Sequence, residues 1–277
     1  MMKIGIYSNI DKDKELSVTK EIIATLQKSG AEVFLFGDTA KVLNTDDSFI
    51  LNTKPDILLV LGGDGTILRV AEYCNINNIP ILGLNTGTVG FLTNFEISEI
   101  NKLYSALSKK NFKTEERLML DIVSNGLGKL ALNEVVVAKK HHDKLILLAV
   151  KVNGELVDNF YCDGFIVATP TGSTAYSLSC LGPIVTPNSA VLVLTPICPH
   201  SLHARPIVVS SSDTIEICAV SSECDIIVDG KFLGVLNSGG SVKVQKAQQG
   251  LSFIKTTGKN FYYRLINKLS QRTNTKR

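Results

Sequence analysis

The sequence predicts an α/β domain followed by an all-β domain, on three observations. Before a boundary at Lys113–Arg117, short apolar runs alternate with apolar residues at helical spacing, the pattern of parallel strands joined through helices. From Leu118 the periodicity changes to successive runs rich in Val, Ile and Leu, separated by turn residues. A last helix-spaced set, Phe261, Tyr262, Leu265, Ile266 and Leu269, closes the chain as one apolar face that docks on the fold.

Composition bounds the class. The chain has 277 residues, 44% hydrophobic and 20% charged, as in a soluble globular protein with length for one large or two ordinary domains. Lys and Arg number 29 against 26 Asp and Glu, and the net charge of +3 is scattered, so no nucleic-acid partner is expected. No stretch approaches the roughly eighteen uninterrupted apolar residues of a membrane span, and residues 1–10 read as a strand. A cytoplasmic protein without a membrane partner is the expectation. The six cysteines (Cys74, Cys162, Cys180, Cys198, Cys218, Cys224) contain no CxxC pair and sit mostly in apolar runs, so reduced core thiols are expected rather than disulfides or zinc.

In order, residues 3–8 alternate as a strand, and Val18, Ile22, Ile23 and Leu26 mark a helix closed by Gly30. Residues 31–36 are the next strand. Residues 57–61 are continuously apolar, short enough for a strand buried on both faces, and end in Gly62-Gly63-Asp64-Gly65-Thr66. Ile67, Leu68, Val70, Ala71 and Cys74 then recur at helical spacing, with Thr66 as the expected N-cap. A strand at 79–84 runs into a second glycine loop, Asn85-Thr86-Gly87-Thr88-Val89-Gly90-Phe91-Leu92. Both loops would lie at the carboxyl edge of one sheet, where ligands bind in this fold class. Ile97, Ile100, Leu103, Tyr104 and Leu107 make an amphipathic helix with Lys109-Lys110 as its solvated end.

Glycines after a buried strand let a ligand approach, and the helix start offers unpaired N–H groups and a positive dipole end, a geometry that suits phosphate. A carboxylate inside such a loop repels phosphate, which gives Asp64 chemical work: holding a divalent metal, orienting a sugar hydroxyl, or taking that hydroxyl's proton during phosphoryl transfer. An Asp-Gly turn with a solvated side chain is the structural alternative. The dinucleotide fingerprint and the Walker-type loop are both absent. Asn85 suits a sugar or phosphate, or a turn cap equally.

The second half shows apolar runs at 120–123, 130–138, 145–152, 165–168, 191–194, 207–209, 215–220, 226–228 and 242–244, with Asn153-Gly154 as a hairpin turn. A sandwich or layered sheet follows. Asn133-Glu134 interrupts an apolar strand, and adjacent side chains point to opposite faces, so one of them should meet a ligand or the other domain. Seven hydroxyl residues fall within 169–179, more than capping one helix requires, which favours polar ligand contacts. Asp229-Gly230-Lys231 reads as a hairpin turn at least as readily as a site. His200 is expected to be a hydrogen-bonded core residue, and residues 271–277 a disordered basic tail.

Together GGDGT at 62–66, NxGxxGFL at 85–92, Asn133-Glu134, the DG…TPTGSTAYSLS block at 163–179 and HSLxARP at 200–206 resemble bacterial NAD kinase, the ATP-NAD kinase family. GGDGT alone is shared with lipid and phosphofructokinase-like kinases; the TPTGSTAYSLS block is specific. The resemblance implies a Rossmann-like nucleotide-binding domain (1–116 with 259–271), a β-sandwich NAD-binding domain (117–258), a terminal helix returning to the first domain and a disordered tail at 272–277. It further implies transfer of the ATP γ-phosphoryl to the adenosine 2′-hydroxyl of NAD, with a divalent metal, Mg2+, and a homo-oligomer of two or four copies.

By the same resemblance, Asp64 orients and deprotonates the hydroxyl. Gly62, Gly63, Gly65 and Thr66 form the phosphate loop, with Gly65 and Arg69 along the phosphates and Asn85 on the substrate. Asn133 and Glu134 hold the adenosine, Asp163 the nicotinamide portion, and Thr174, Ala175, Tyr176, Ser177, Leu178 and Ser179 the dinucleotide between them. Lys144 and Lys231 align with further substrate positions. The chain departs from the family pattern at Thr88-Val89, where a basic residue and leucine are frequent, at Leu181-Gly182 in place of Gly-Gly, and at Lys231 in place of glutamine. Two competing readings remain open: a lipid kinase of the diacylglycerol type, and a dinucleotide-sensing module without turnover.

Overall fold

Parallel pairing of short apolar strands builds the first part of the molecule. The structure, a computed structural model, describes residues 1–43, 54–86, 90–93, 95–96, 99–100, 112–140, 144–255 and 261–273. The expected helix around Leu103 to Leu107 and the loop residues Gly87, Thr88 and Val89 lie outside these. The chain divides into two units, Met1–Glu116 with Leu251–Arg277, and Arg117–Gly250.

In the first unit, Lys3–Ser8 (β1) leads to the helix Ser17–Lys28 (α1), which turns Thr19, Ile22 and Leu26 inward and ends before Gly30 at φ 88°. Glu32–Leu35 (β2), the short helix Asp38–Val42 (α2) and Ile57–Gly62 (β3) follow. Asp64–Ile76 (α3) then carries the chain to Ile81–Asn85 (β4). The sheet runs β2-β1-β3-β4 in parallel, and every residue of β3 is buried, as a strand covered on both faces requires. Phe95–Glu96 (β5) pairs with β4, and Lys113–Arg117 (β6), expected only as a boundary, is a strand at the far edge of this sheet.

The second unit opens with Leu120–Ser124 (β7), Leu127–Ala131 (β8), Glu134–Lys139 (β9), Ile146–Val152 (β10), Glu155–Cys162 (β11) and Gly164–Ala168 (β12). A one-turn helix, Tyr176–Ser179 (α4), precedes Val191–Ile197 (β13), Ile207–Ser210 (β14) and Ile215–Ala219 (β15). Cys224–Val228 (β16), Lys231–Leu236 (β17) and Ser241–Lys246 (β18) complete two antiparallel sheets, β11-β10-β15-β18-β7-β8 and β14-β13-β12-β9-β16-β17. Residues 130–138 are therefore not one strand. Leu132 and Asn133 break the run, and β8 and β9 belong to different sheets. Asn153-Gly154 is a hairpin turn as expected, with both residues at positive φ, and Asn125-Gly126 and Asp229-Gly230 repeat the geometry.

Val135, Val137, Phe165 and Val167 pack with Ile122, Leu148, Ile217 and Val244 in one core, whereas Val136, Ile166 and Ala168 pack with Val193, Ile197, Cys180 and Val185 in another. β9 and β12 are thus apolar on both faces, which is why they read as continuous runs. Cys198 departs from the core-thiol expectation: it is exposed and at φ 45°. His200 is also exposed, with its backbone N–H donating to the Tyr161 carbonyl at 2.7 Å.

The chain then re-enters the first unit. Leu251–Lys255 (β19) lies between β4 and β6, so these residues, expected in the β domain, leave it because β4 offers β19 a parallel edge. The last helix, Phe261–Thr273 (α5), extends past the expected limit at 271. Its inward face also differs. Tyr262 and Ile266 are exposed, while Arg264 is buried and Phe261 lies 6.3 Å from Phe91.

Candidate active site

The glycine loop closes around a carboxylate. Gly62 pairs with Asn85 across β3 and β4, so the two loops start side by side at the carboxyl end of the sheet. Gly62 sits at φ 154°, and a Cβ there would collide with the Thr66 hydroxyl. The N-cap is Gly63, not the expected Thr66, and Asp64 occupies the first helical position of α3. Thr66 is buried instead, with its hydroxyl accepting from Asn9 Nδ2 at 3.2 Å. Gly65 and Arg69 are exposed, and Lys12 Nζ lies 3.5 Å from where a Cβ on Gly63 would be.

Asp64 is not a solvated turn residue. Its Oδ2 accepts the Phe91 N–H and its Oδ1 the Leu92 N–H, both at 2.9 Å, and Lys268 Nζ of α5 donates to Oδ2 at 3.2 Å. Only 25% of the side chain is exposed. A Cβ on Gly90 would strike the carboxylate, so glycine at 90 is what lets the second loop approach the first. The sequence reading placed Phe91 and Leu92 in the second glycine loop without a role, because backbone donors leave no composition signature, and it did not name Lys268.

In the second unit Asp229 is the organiser. Its carboxylate accepts the N–H groups of Leu132, Asn133 and Glu134 at 2.8, 2.8 and 3.1 Å, which holds the break between β8 and β9 in place. Asp229-Gly230 is both the expected turn and a structural anchor. Asn133 and Glu134 are both buried, against the expectation of opposite faces, because they leave the strand pattern at this break. The Asn133 carbonyl accepts the Thr169 N–H at 2.8 Å, and a Cβ on Gly172 would collide with it. Burial, then the Asp229 charge, pushes Glu134 up to about 8 against a backbone hydrogen bond from Tyr176, so this carboxyl is protonated at neutral pH. Burial also raises Asp229, which its three amide donors and Lys231 counter.

Many hydroxyls of the loop bond within the protein. Thr169 Oγ1 donates to the Leu132 carbonyl at 2.6 Å, Ser173 Oγ to the Pro170 carbonyl at 2.7 Å, and Ser177 pairs with Thr195 at 2.9 Å. Arg117 donates to Thr171 at 3.3 Å, and Thr174 to the Thr171 carbonyl at 3.3 Å. Tyr176 stays 45% exposed and Ser179 is exposed as well, while Ala175 and Leu178 are half-buried around them. Asp163 pairs with Lys139 at 2.6 Å, and its charge acts on Tyr176. Lys231 is exposed but acts on Asp229; Lys144 is exposed ahead of β10, apart from these contacts.

A clamped carboxylate opens a helix at the glycine loop of a parallel sheet, in a chain with a layered β unit, an arrangement that agrees with the GGDGT kinase class its motifs resemble. Models described as the ATP-NAD kinase N-terminal and C-terminal domains match residues 38–112 and 132–256. The NAD kinase of Lachnoclostridium phytofermentans is 35% identical over 285 residues, covering 98% of this chain and 100% of the relative. That of Caldanaerobacter subterraneus subsp. tengcongensis is 38% identical over 283 residues, with 98% and 100% covered. Among solved structures, yeast NADH kinase complexed with NADH superposes at a TM-score of 0.88 and 27% identity, over 100% of this chain and 89% of that one. An NAD kinase from Archaeoglobus fulgidus in complex with ATP gives 0.77 and 30%, with 98% of each chain covered. The chain belongs to the ATP-NAD kinase family.

Proposed function

We infer that this chain is an NAD kinase, which transfers the γ-phosphoryl of ATP to the 2′-hydroxyl of the adenosine ribose of NAD and so makes NADP. The observation that carries the reading is Asp64, fixed by two amides and an ammonium at the mouth of the glycine loop. The 2′-oxygen bonds to the γ-phosphorus, the bond from that phosphorus to the β,γ-bridging oxygen breaks to leave ADP, and the hydroxyl proton passes to Asp64. In a loose transition state that proton leaves late, so orientation of the hydroxyl counts for as much as basicity. Three N–H donors fill three of the about four lone-pair directions of a carboxylate, and Oδ1, with one donor, keeps room for the hydroxyl.

We assign Gly62, Gly63, Gly65, Thr66 and Arg69 to the phosphates, and Asn85 to the substrate sugar or phosphate. Asn133 and protonated Glu134 hold the adenosine, with Glu134 able to donate as well as accept. Asp163 takes the nicotinamide portion, and Thr174 to Ser179 the dinucleotide between, with Tyr176 stacking. Lys144 and Lys231 are further substrate contacts. No group of three His, Cys, Asp or Glu side chains suited to a metal converges among the described residues. We assign Mg2+ to the donor phosphates, where an ion held through phosphate oxygens and water needs no such cluster. No helix among the described residues is long and apolar enough to cross a membrane. A cytoplasmic homo-oligomer is the assembly we expect, and light scattering on the purified protein tests it.

Purified protein offered ATP, Mg2+, NAD and diacylglycerol together decides the function. NADP formation is the expected result. Label appearing only in lipid would establish the lipid-kinase reading, and NAD binding without NADP the sensing module.

A further inference from the structure

We propose that Lys268 is a positioning residue of the phosphoryl transfer, holding the Asp64 carboxylate so that Oδ1 faces the acceptor hydroxyl. The inference rests on the kinase reading and adds a residue to it. Lys268 Nζ is 3.2 Å from Asp64 Oδ2 and 4.8 Å from the centre of the Phe91 ring, whose own backbone N–H binds the same oxygen. One ammonium therefore fixes the carboxylate and the loop residue that fixes it. Phe261, Arg264 and Lys268 fall at i, i+3 and i+7, one face of α5. Phe261 packs against Phe91, Arg264 is buried and its charge interacts with Asp64, and Lys268 completes the row. The terminal helix thus reaches the reacting group along its whole inward face, although 204 residues separate Lys268 from Asp64.

The arrangement is specific to one oxygen. Oδ2 takes two donors and Oδ1 one, so the carboxylate cannot rotate about its last bond without losing the Lys268 contact. Removing the ammonium frees that rotation, and misplacement of a reacting group by about 1 Å costs on the order of 100-fold in rate.

Three variants test the proposal. Lys268→Gln keeps much of the stem over Phe91 and removes the charge, Lys268→Met removes the charge with an apolar chain, and Lys268→Arg keeps it. We expect Gln and Met to lower kcat about 10- to 100-fold with KM for NAD and ATP within about threefold, and Arg to restore kcat to within about tenfold of the parent. Unchanged kcat in the Gln variant overturns the proposal, as does a rise in KM alone, which would make Lys268 a substrate-binding group. Thermal unfolding of Lys268→Gln, Asp64→Asn and the double variant supplies a readout independent of turnover. Non-additive Tm losses support the pairing and additive losses overturn it. A parent protein that forms no NADP defeats the kinase reading, and the unfolding cycle still judges the pair.

Discussion

Glu134 carries its proton at neutral pH, and that has a direction for stability. Its folded-state pKa is raised from 4.5 to about 8, first by burial and then by Asp229. The stabilisation is fully present below pH 4.5, where folded and unfolded chains both hold the proton, and is lost as pH rises toward about 8. The Glu134 contribution to unfolding free energy should fall by up to about 1.4 kcal/mol per pH unit across that window. Glu134→Gln removes the slope, so the variant should gain stability relative to the parent at pH about 8 and match it most nearly in acid, measured by denaturant unfolding at a series of pH values. At Asp64, Asn is nearly isosteric but turns an NH2 toward the amide and ammonium donors that the carboxylate accepts. Asp64→Asn is expected to lose most turnover, 100-fold or more on the order-of-magnitude scale of general acid–base catalysis, while NAD affinity stays within a few-fold by calorimetry. Equal loss of both would make Asp64 chiefly a binding residue.

Elements are set by where glycine is needed and where it is missing. Gly90 has no room for a Cβ beside Asp64 and Thr93 Oγ1, so Gly90→Ala should push the carboxylate off its amides and lower kcat about 100-fold in an NADP-formation assay, with a smaller change in KM. Leu181 is the converse. It holds φ 67° with 87% of its surface exposed, a left-handed conformation that strains a branched side chain without burying it. Leu181→Gly should raise the unfolding free energy by about 1 kcal/mol, read from the urea midpoint, with turnover unchanged. Many strands buried on one or both faces were legible as runs; β11 was not, because its first five residues are exposed and apolar periodicity has nothing to report there. β17 and β6 were missed for the same reason.

At the scale of the whole chain, the first unit is discontinuous. β19 sits between β4 and β6, so a chain ending at Gly250 leaves a gap inside the sheet and exposes the parallel edge of β4. Such a truncation should not yield a folded first unit, whereas residues 1–116 joined by a flexible linker to 251–277 should, as judged by circular dichroism and proteolysis. Return of the last helix was legible only through family resemblance, since its expected apolar face named Tyr262 and Ile266, which are exposed. The sequence by itself determined the α/β part followed by the β part, the two glycine loops, the Asn153-Gly154 turn and the family, because these depend on residue type over a few neighbouring positions. Tertiary structure alone decided that Asp229 anchors Asn133-Glu134, that most of the loop hydroxyls face inward, and that Lys268 meets Asp64. Those contacts join backbone amides and charges far apart in the chain, and only folding brings their donors and acceptors within hydrogen-bond reach.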